Sequence, residues 1–170
     1  MKKVIEIGTY SIIVGVLATA FLDLWNLLRF YFVDVPLTKY EFIGRWMLYM
    51  LEGKFSHVSI KQSAPVPGEL LVGWLGHYAI GIAFAAILLI IWGIKWLKAP
   101  TFKAAMLVGM GTVVVPYFIM QPGMGLGIAG SASPDQIGLI VKVIVSHIVF
   151  SIGLYATGQV VKYFSKQPKA

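Results

Sequence analysis

Four stretches of the chain are long and apolar enough to cross a bilayer core, which takes roughly 20 helical residues. They run approximately from Val4 to Phe32, Leu70 to Leu97, Phe102 to Met120 and Ile137 to Tyr163. In lipid every backbone N–H and C=O must find its partner within the protein, so each stretch is either a helix or a strand of a closed barrel. Barrel strands need about ten residues of alternating polarity, and these runs are continuously apolar. The expected architecture is therefore an all-α membrane protein: four transmembrane helices in an antiparallel bundle, forming a single membrane domain over residues 1–170. Composition agrees, since 58% of the 170 residues are hydrophobic and 12% charged, against about a quarter charged in soluble domains. The absence of cysteine excludes disulfides, thiolate zinc sites and Cys nucleophiles.

Met1-Lys2-Lys3 ahead of an apolar run, with Ala18-Thr19-Ala20 further on, has the outline of a secretory signal. Glu6 interrupts that run, and hydrophobicity continues past Ala20 to Phe32, so the segment reads as a retained anchor.

Orientation follows from the basic residues. With both termini on one side, that side carries Lys2, Lys3, Lys95, Lys98, Lys103, Lys162, Lys166 and Lys169, eight of the fourteen, against one acid, Glu6. The other side has Arg29, Lys39, Arg45, Lys54, Lys61 and Lys142 balanced by Asp23, Asp34, Glu41, Glu52, Glu69 and Asp135. All of the net +7 thus falls on the terminal side, which is expected to be cytoplasmic. There the lysines would meet anionic inner-leaflet lipid. No basic stripe interleaved with aromatics argues for nucleic acid.

The connection between the first two spans, about 37 residues from Val33 to Glu69, contains a helix signal. Thr38 followed by Glu41 forms a capping box, with Leu37 placed to staple onto Phe42. The predicted helix covers about 39–52 and ends at Gly53, which favours the left-handed cap. Phe42, Ile43, Trp46, Tyr49 and Met50 recur at helical spacing, and Glu41 and Arg45 stand four apart, positioned to pair. This helix lies on the outer face or caps the bundle. Pro65-Val66-Pro67-Gly68 then forces a turn before Glu69, whose charge suits a helix N-terminus.

Polar residues within the spans are the functional pointers, because burying them in lipid is costly. Gly8, Gly15, Thr19, Asp23 and Asn26 share one face of the first span. Gly73, His77 and Gly81 step by four on the second. Gly109, Thr112 and Pro116 make a small, kink-prone face on the third. His147, Ser151, Leu154 and Gly158 line the fourth, with Tyr155 on its flank. With the outer boundary near Leu27, a rise of about 1.5 Å per residue puts Asp23 roughly 6 Å, His77 roughly 10 Å and His147 roughly 15 Å deep. These groups could line one pocket open to the outer loop, with Gln121 and Arg45 at its mouth. The packing alternative has Asp23 paired with Arg29 and each histidine bonded across helices. Candidate ligand-binding or proton-exchange residues are Asp23, Asn26, Arg45, His77, Gln121, His147 and Tyr155.

Asp23-Leu24-Trp25, Gly44-Arg45-Trp46, Gly73-Trp74 with His77-Tyr78 and Gly81, Met120-Gln121-Pro122 with Gly125-Leu126-Gly127, and His147 together resemble a bacterial inner-membrane family known only as a domain of unknown function (2938). The resemblance runs across nearly the whole chain. It implies a four-span bacterial integral membrane protein and carries no activity or catalytic residues with it.

Gly123-Met124-Gly125-Leu126-Gly127 neither follows a strand nor opens a long helix, so it reads as a flexible loop or re-entrant turn and not as a dinucleotide site. Haem held between His77 and His147 is not expected, because their depths differ by about 5 Å, and no cofactor or metal is assigned. Two function classes remain foremost: a non-enzymatic protein binding or passing a small solute, a lipid portion or protons, and a membrane enzyme using His77 or His147 as general base on a lipid-linked substrate. A third is a scaffold joining a second copy or another membrane protein through small-residue helix faces.

Overall fold

The computed structural model describes residues 2–165; Lys166 and Lys169, assigned above to the terminal side, lie outside the described residues. The elements are α1 (Lys2–Val33), α2 (Tyr40–Leu51), α3 (Glu69–Trp92), α4 (Lys95–Lys98), α5 (Phe102–Gly111), α6 (Gln121–Gly123) and α7 (Gln136–Ser165). No strand occurs among the described residues. Four helical segments, Lys2–Val33, Glu69–Trp92, Phe102–Gly123 and Gln136–Ser165, are long and apolar enough to cross a membrane. Only 28% of the most apolar window of each is buried inside the protein, which leaves the rest of the apolar surface for lipid.

The spans form a ring. α1 packs on α3 and α7, and α5 completes the circle by packing on α7 and α3. Lipid tails are as apolar as leucine, so close approach of backbones at small residues has to drive the association. Gly15 of α1 lies against the backbone of Gly81 and Ile82, Gly153 of α7 against Ala18, and Gly109 of α5 against Ser151. At each seam one residue number rises as the other falls, so neighbouring spans are antiparallel. Val14, Ala18, Ala85, Leu88, Leu89, Ala105 and Leu154 fill the interior and are buried. We call the end with the 34–68 connection the loop face and the opposite end the terminal face.

Two spans depart from the uninterrupted helices expected. The second ends at Trp92, not Leu97, because Gly93 takes φ +70°, a left-handed backbone that glycine adopts without penalty. Trp96 and Leu97 then fold inward on α4, with the Trp96 ring and Pro100 both against Gly158. In the third, α5 stops at Gly111 and the chain continues through a wide π-type turn, Pro116–Met120, into α6. Pro116 has no N–H to give to the helical ladder, which is why the kink falls beside it.

The connecting helix α2 forms within the expected range but by a different device. It starts at Tyr40, preceded by Lys39, without a side-chain cap, so the Thr38 capping box does not form. Tertiary contacts of Tyr40, described below, fix the helix start instead. Its end is as the glycine signal foresaw: Gly53 has φ +80°, and the Gly53 and Lys54 N–H groups return to the carbonyls of Met50 and Tyr49, the Schellman pattern. α2 crosses α3 where Gly44 meets the Glu69 carbonyl and the Gly73 backbone.

Candidate functional site

Asp23 faces inward on the last third of α1, where α3 runs past in the opposite direction and presents His77 and Tyr78. The two elements bring the Asp23 Oδ1 within 3.0 Å of His77 Nε2. Tyr78 donates its hydroxyl to Oδ2 at 3.0 Å. Tyr40, at the first turn of α2, donates to Oδ1 at 3.1 Å and also lies 3.1 Å from His77 Nε2. One carboxylate therefore receives two phenol hydroxyls and an imidazole. An ionised carboxylate only accepts hydrogen bonds, so His77 must carry its proton on Nε2. Burial, reinforced by the Asp23 charge, holds the Tyr40 hydroxyl well above the usual phenol range, so Tyr40 remains a donor.

The Tyr40 ring packs against two others, 4.3 Å from Trp74 and 4.6 Å from His77, centroid to centroid, and those two stand 6.1 Å from each other. Beside this cluster opens a cavity of about 310 Å³. Asp23, Asn26 and Thr38 supply its polar wall, Leu24, Leu27 and Leu37 its apolar wall, and Tyr40 and Trp74 two aromatic faces.

The other sequence candidates lie elsewhere. Arg45 is buried and grips Glu69 in a fork, Nε to Oε2 at 2.8 Å and Nη2 to Oε1 at 2.7 Å. Its Nη1 serves the carbonyls of Ser63 and Ile60. Its partner is thus the head of α3 and not Glu41, four residues away, because Arg45 points into the α2–α3 contact. With its donors committed it clamps the connection onto the bundle. His147 Nδ1 donates to the Gly109 carbonyl at 2.7 Å and lies 3.2 Å from Thr112 Oγ1, in the α5–α7 seam. Its neighbour on α3 is Phe84, two turns, or about 10 Å, along from His77. Tyr155 stands edge-on to Phe102 near the terminal face. Gln121 is buried under the loop face, and its Oε1 accepts no hydrogen bond among the described residues. The structure thus brings Asp23, Asn26 and His77 together and sets Arg45, Gln121, His147 and Tyr155 in separate environments.

Three members of the cluster escaped sequence reasoning as site residues: Tyr40, Trp74 and Tyr78. Tyr78 adjoins His77 and could have been flagged by that adjacency. Trp74 lies one turn before His77 on α3 and could have been flagged by that spacing; nothing local distinguishes Tyr40, whose position depends on α2 folding back over α3. The glycine-rich segment after Pro122, expected as a flexible loop or a re-entrant turn, is a series of tight turns. It is the platform on which the connection docks, with the His57 N–H bonded to the Gly123 carbonyl and that of Ile60 to Met124, each at 3.0 Å.

Similarity to known proteins is confined to one finding. The family described as protein of unknown function (DUF2938) matches residues 12–161. The chain belongs to that family. No curated protein and no solved structure matches it. The matched range takes in Asp23, Tyr40, Trp74, His77 and Tyr78.

Proposed function

We propose that the chain is a non-enzymatic integral protein of the bacterial inner membrane, both termini cytoplasmic, whose loop-face cavity takes up a small amphiphile with a cationic or hydrogen-bond-donating head in exchange for a proton held by Asp23 and His77. The observation that carries the reading is the 3.0 Å Asp23–His77 contact at the wall of an open cavity of about 310 Å³. A carboxylate flanked by two aromatic faces is what an ammonium-like head prefers, through charge and cation–π attraction. The leucines suit the first carbons of a tail, and Asn26 and Thr38 add orienting hydrogen bonds. The volume lies at the lower end of the range for small-molecule pockets, roughly 300–1,000 Å³, so the head and a short apolar segment fit.

The exchange follows from charge balance. With His77 protonated, the pair is neutral overall and leaves the cavity no net attraction for a cation. When the proton departs, the Asp23 charge is released to the ligand, so binding and proton release are coupled. The enzymatic alternative, His77 as general base, would have to act through Nδ1, because Nε2 is engaged with Asp23 and Tyr40. The separate environments of Arg45 and His147 support a packing role for those two. At the terminal face, Lys2, Lys3, Lys95, Lys98, Lys103 and Lys162 are proposed to rest on anionic lipid.

Equilibrium binding of radiolabelled decyltrimethylammonium to the protein in nanodiscs, with proton release read by a pH dye, tests the proposal. Saturable binding with proton release should weaken about tenfold or more, some 1.4 kcal/mol, in Asp23→Asn while the melting temperature stays near wild type. Equal binding by wild type and Asp23→Asn refutes it.

A further inference from the structure

Asp23 is taken by His77 and Glu69 by Arg45, and neither Arg29 nor Lys142 has a carboxylate within ion-pair distance among the described residues. Among the described residues the only ion pairs are those two. Asp135, near the start of α7, accepts from the Gly138 N–H. Arg29 and Lys142 are half-buried and reside in the spans α1 and α7.

The packing of α1 on α7 brings them together. One close point of that seam is Gly153 against Ala18, where an added Cβ would stand 3.0 Å from the Ala18 carbonyl oxygen. Arg29 lies eleven residues after Ala18 and Lys142 eleven before Gly153. Eleven residues make about three turns, so both side chains return to the same seam, some 16 Å nearer the loop face. Lys142 lies within coulombic reach of the Arg29 guanidinium. Two like charges sharing a helix seam at the edge of an apolar layer repel each other and cannot fully hydrate. A doubly contacted anion removes both costs. The guanidinium offers a planar fork that matches phosphate oxygens, and the ammonium adds a point charge. Trp25, one turn deeper on the same side of α1, is exposed and offers the kind of surface that aromatic residues present at headgroup level.

We infer that Arg29 and Lys142 form a phosphate-binding site in the α1–α7 seam at the loop face, placed to hold the headgroup of an anionic lipid. The site is separate from the Asp23 cavity and does not depend on its function.

Native mass spectrometry of the delipidated protein, titrated with phosphatidylglycerol, phosphatidylcholine or inorganic phosphate, tests this. Wild type should retain one phosphatidylglycerol in clear preference to phosphatidylcholine, about tenfold. Arg29→Gln with Lys142→Gln should abolish the preference. Arg29→Lys with Lys142→Arg, Asp23→Asn, and Lys39→Gln with Lys54→Gln should each keep it. Displacement of the lipid by millimolar inorganic phosphate would assign the site to free phosphate, whereas persistence assigns it to the lipid headgroup. Either supports a phosphate site. An unchanged preference in the Gln double variant overturns it, as does a wild type with no preference, a measurement that needs no substitution to fold. Should the double variant fail to fold, the two single Gln variants are read by the same criterion.

Discussion

Asp23 and His77 are 54 residues apart in the chain and 3.0 Å apart in space. The pair joins α1 to α3 just where α2 lays Tyr40 across both, so one carboxylate ties three helices. Any change at this point is felt by the bundle and by the connection above it.

Tyr40→Phe isolates the hydroxyl from the ring. The stacking on Trp74 survives, whereas Asp23 loses one donor. A hydrogen bond to a charged group contributes about 1.5–3 kcal/mol, and a loss of stability in that range is expected in detergent unfolding. No change would mean that Tyr40 does not donate to Asp23.

Arg45 and Glu69 form a pair whose side chains are 7% and 15% exposed. Removing one partner of such a pair strands the other charge, at a cost of about 3–5 kcal/mol. Arg45→Met should therefore destabilise more than Arg45→Met combined with Glu69→Leu. Thermal unfolding of the three proteins decides it; a double variant less stable than either single one contradicts the pairing.

Gly44→Ala places a methyl against the Glu69 carbonyl and the Gly73 backbone, which cannot yield as a side chain could. α2 should lift from α3 and pull Tyr40 off Asp23. Hydrogen exchange across residues 40–51 should rise while the spans stay protected. Gly53→Ala, by contrast, meets no neighbour and should cost only the left-handed backbone strain, about 1 kcal/mol.

His57 makes the docked connection sensitive to acid. The Ser63 hydroxyl donates to the Ser59 carbonyl and so accepts from His57 Nδ1–H, leaving Nε2 buried without a partner among the described residues. Burial first, and then the Lys54 charge, hold this imidazole below its ordinary value. The unfolded segment binds a proton before the folded one does, so stability is full above about pH 6.5 and declines as pH falls through that value. Residues 54–63 should exchange faster near pH 5.5 than near pH 7.5 after correction for intrinsic rates, and His57→Gln should flatten the difference. A flat wild-type profile would remove His57 from this role.

The proposed orientation is open to a direct measurement. The chain has no cysteine, so single cysteines at Lys98 and Ser56 can be labelled with an impermeant reagent. They should react from opposite sides, Ser56 from the outside. Labelling of both from one side contradicts the topology.

The spans were legible because lipid imposes one rule on every backbone group, and a run of apolar residues satisfies it in one way. Asp23 and His77 were expected at neighbouring depths, roughly 6 and 10 Å, and the antiparallel packing of α1 on α3 brings them into contact. The kink of the third span was foreshadowed by Pro116. Arg45 was misread because local spacing favoured Glu41, while the winning partner came from a turn 24 residues away built by Pro65-Val66-Pro67-Gly68. Tyr40 was invisible for the same reason: its role is created by the crossing of α2 over α3 at Gly44 and Gly73, a tertiary event with no periodic signature.

The ring of spans closes between α1 and α7, the first and the last of the four to emerge during synthesis. Until α7 is made, the small-residue face of α1 at Ala18 and that of α5 at Gly109 both lack the surface they pack on. Closure is therefore a single late event in biogenesis, satisfying two seams at once. A chain stalled before α7 presents both faces to the insertion machinery, to chaperones and to membrane proteases, whereas the finished one presents neither.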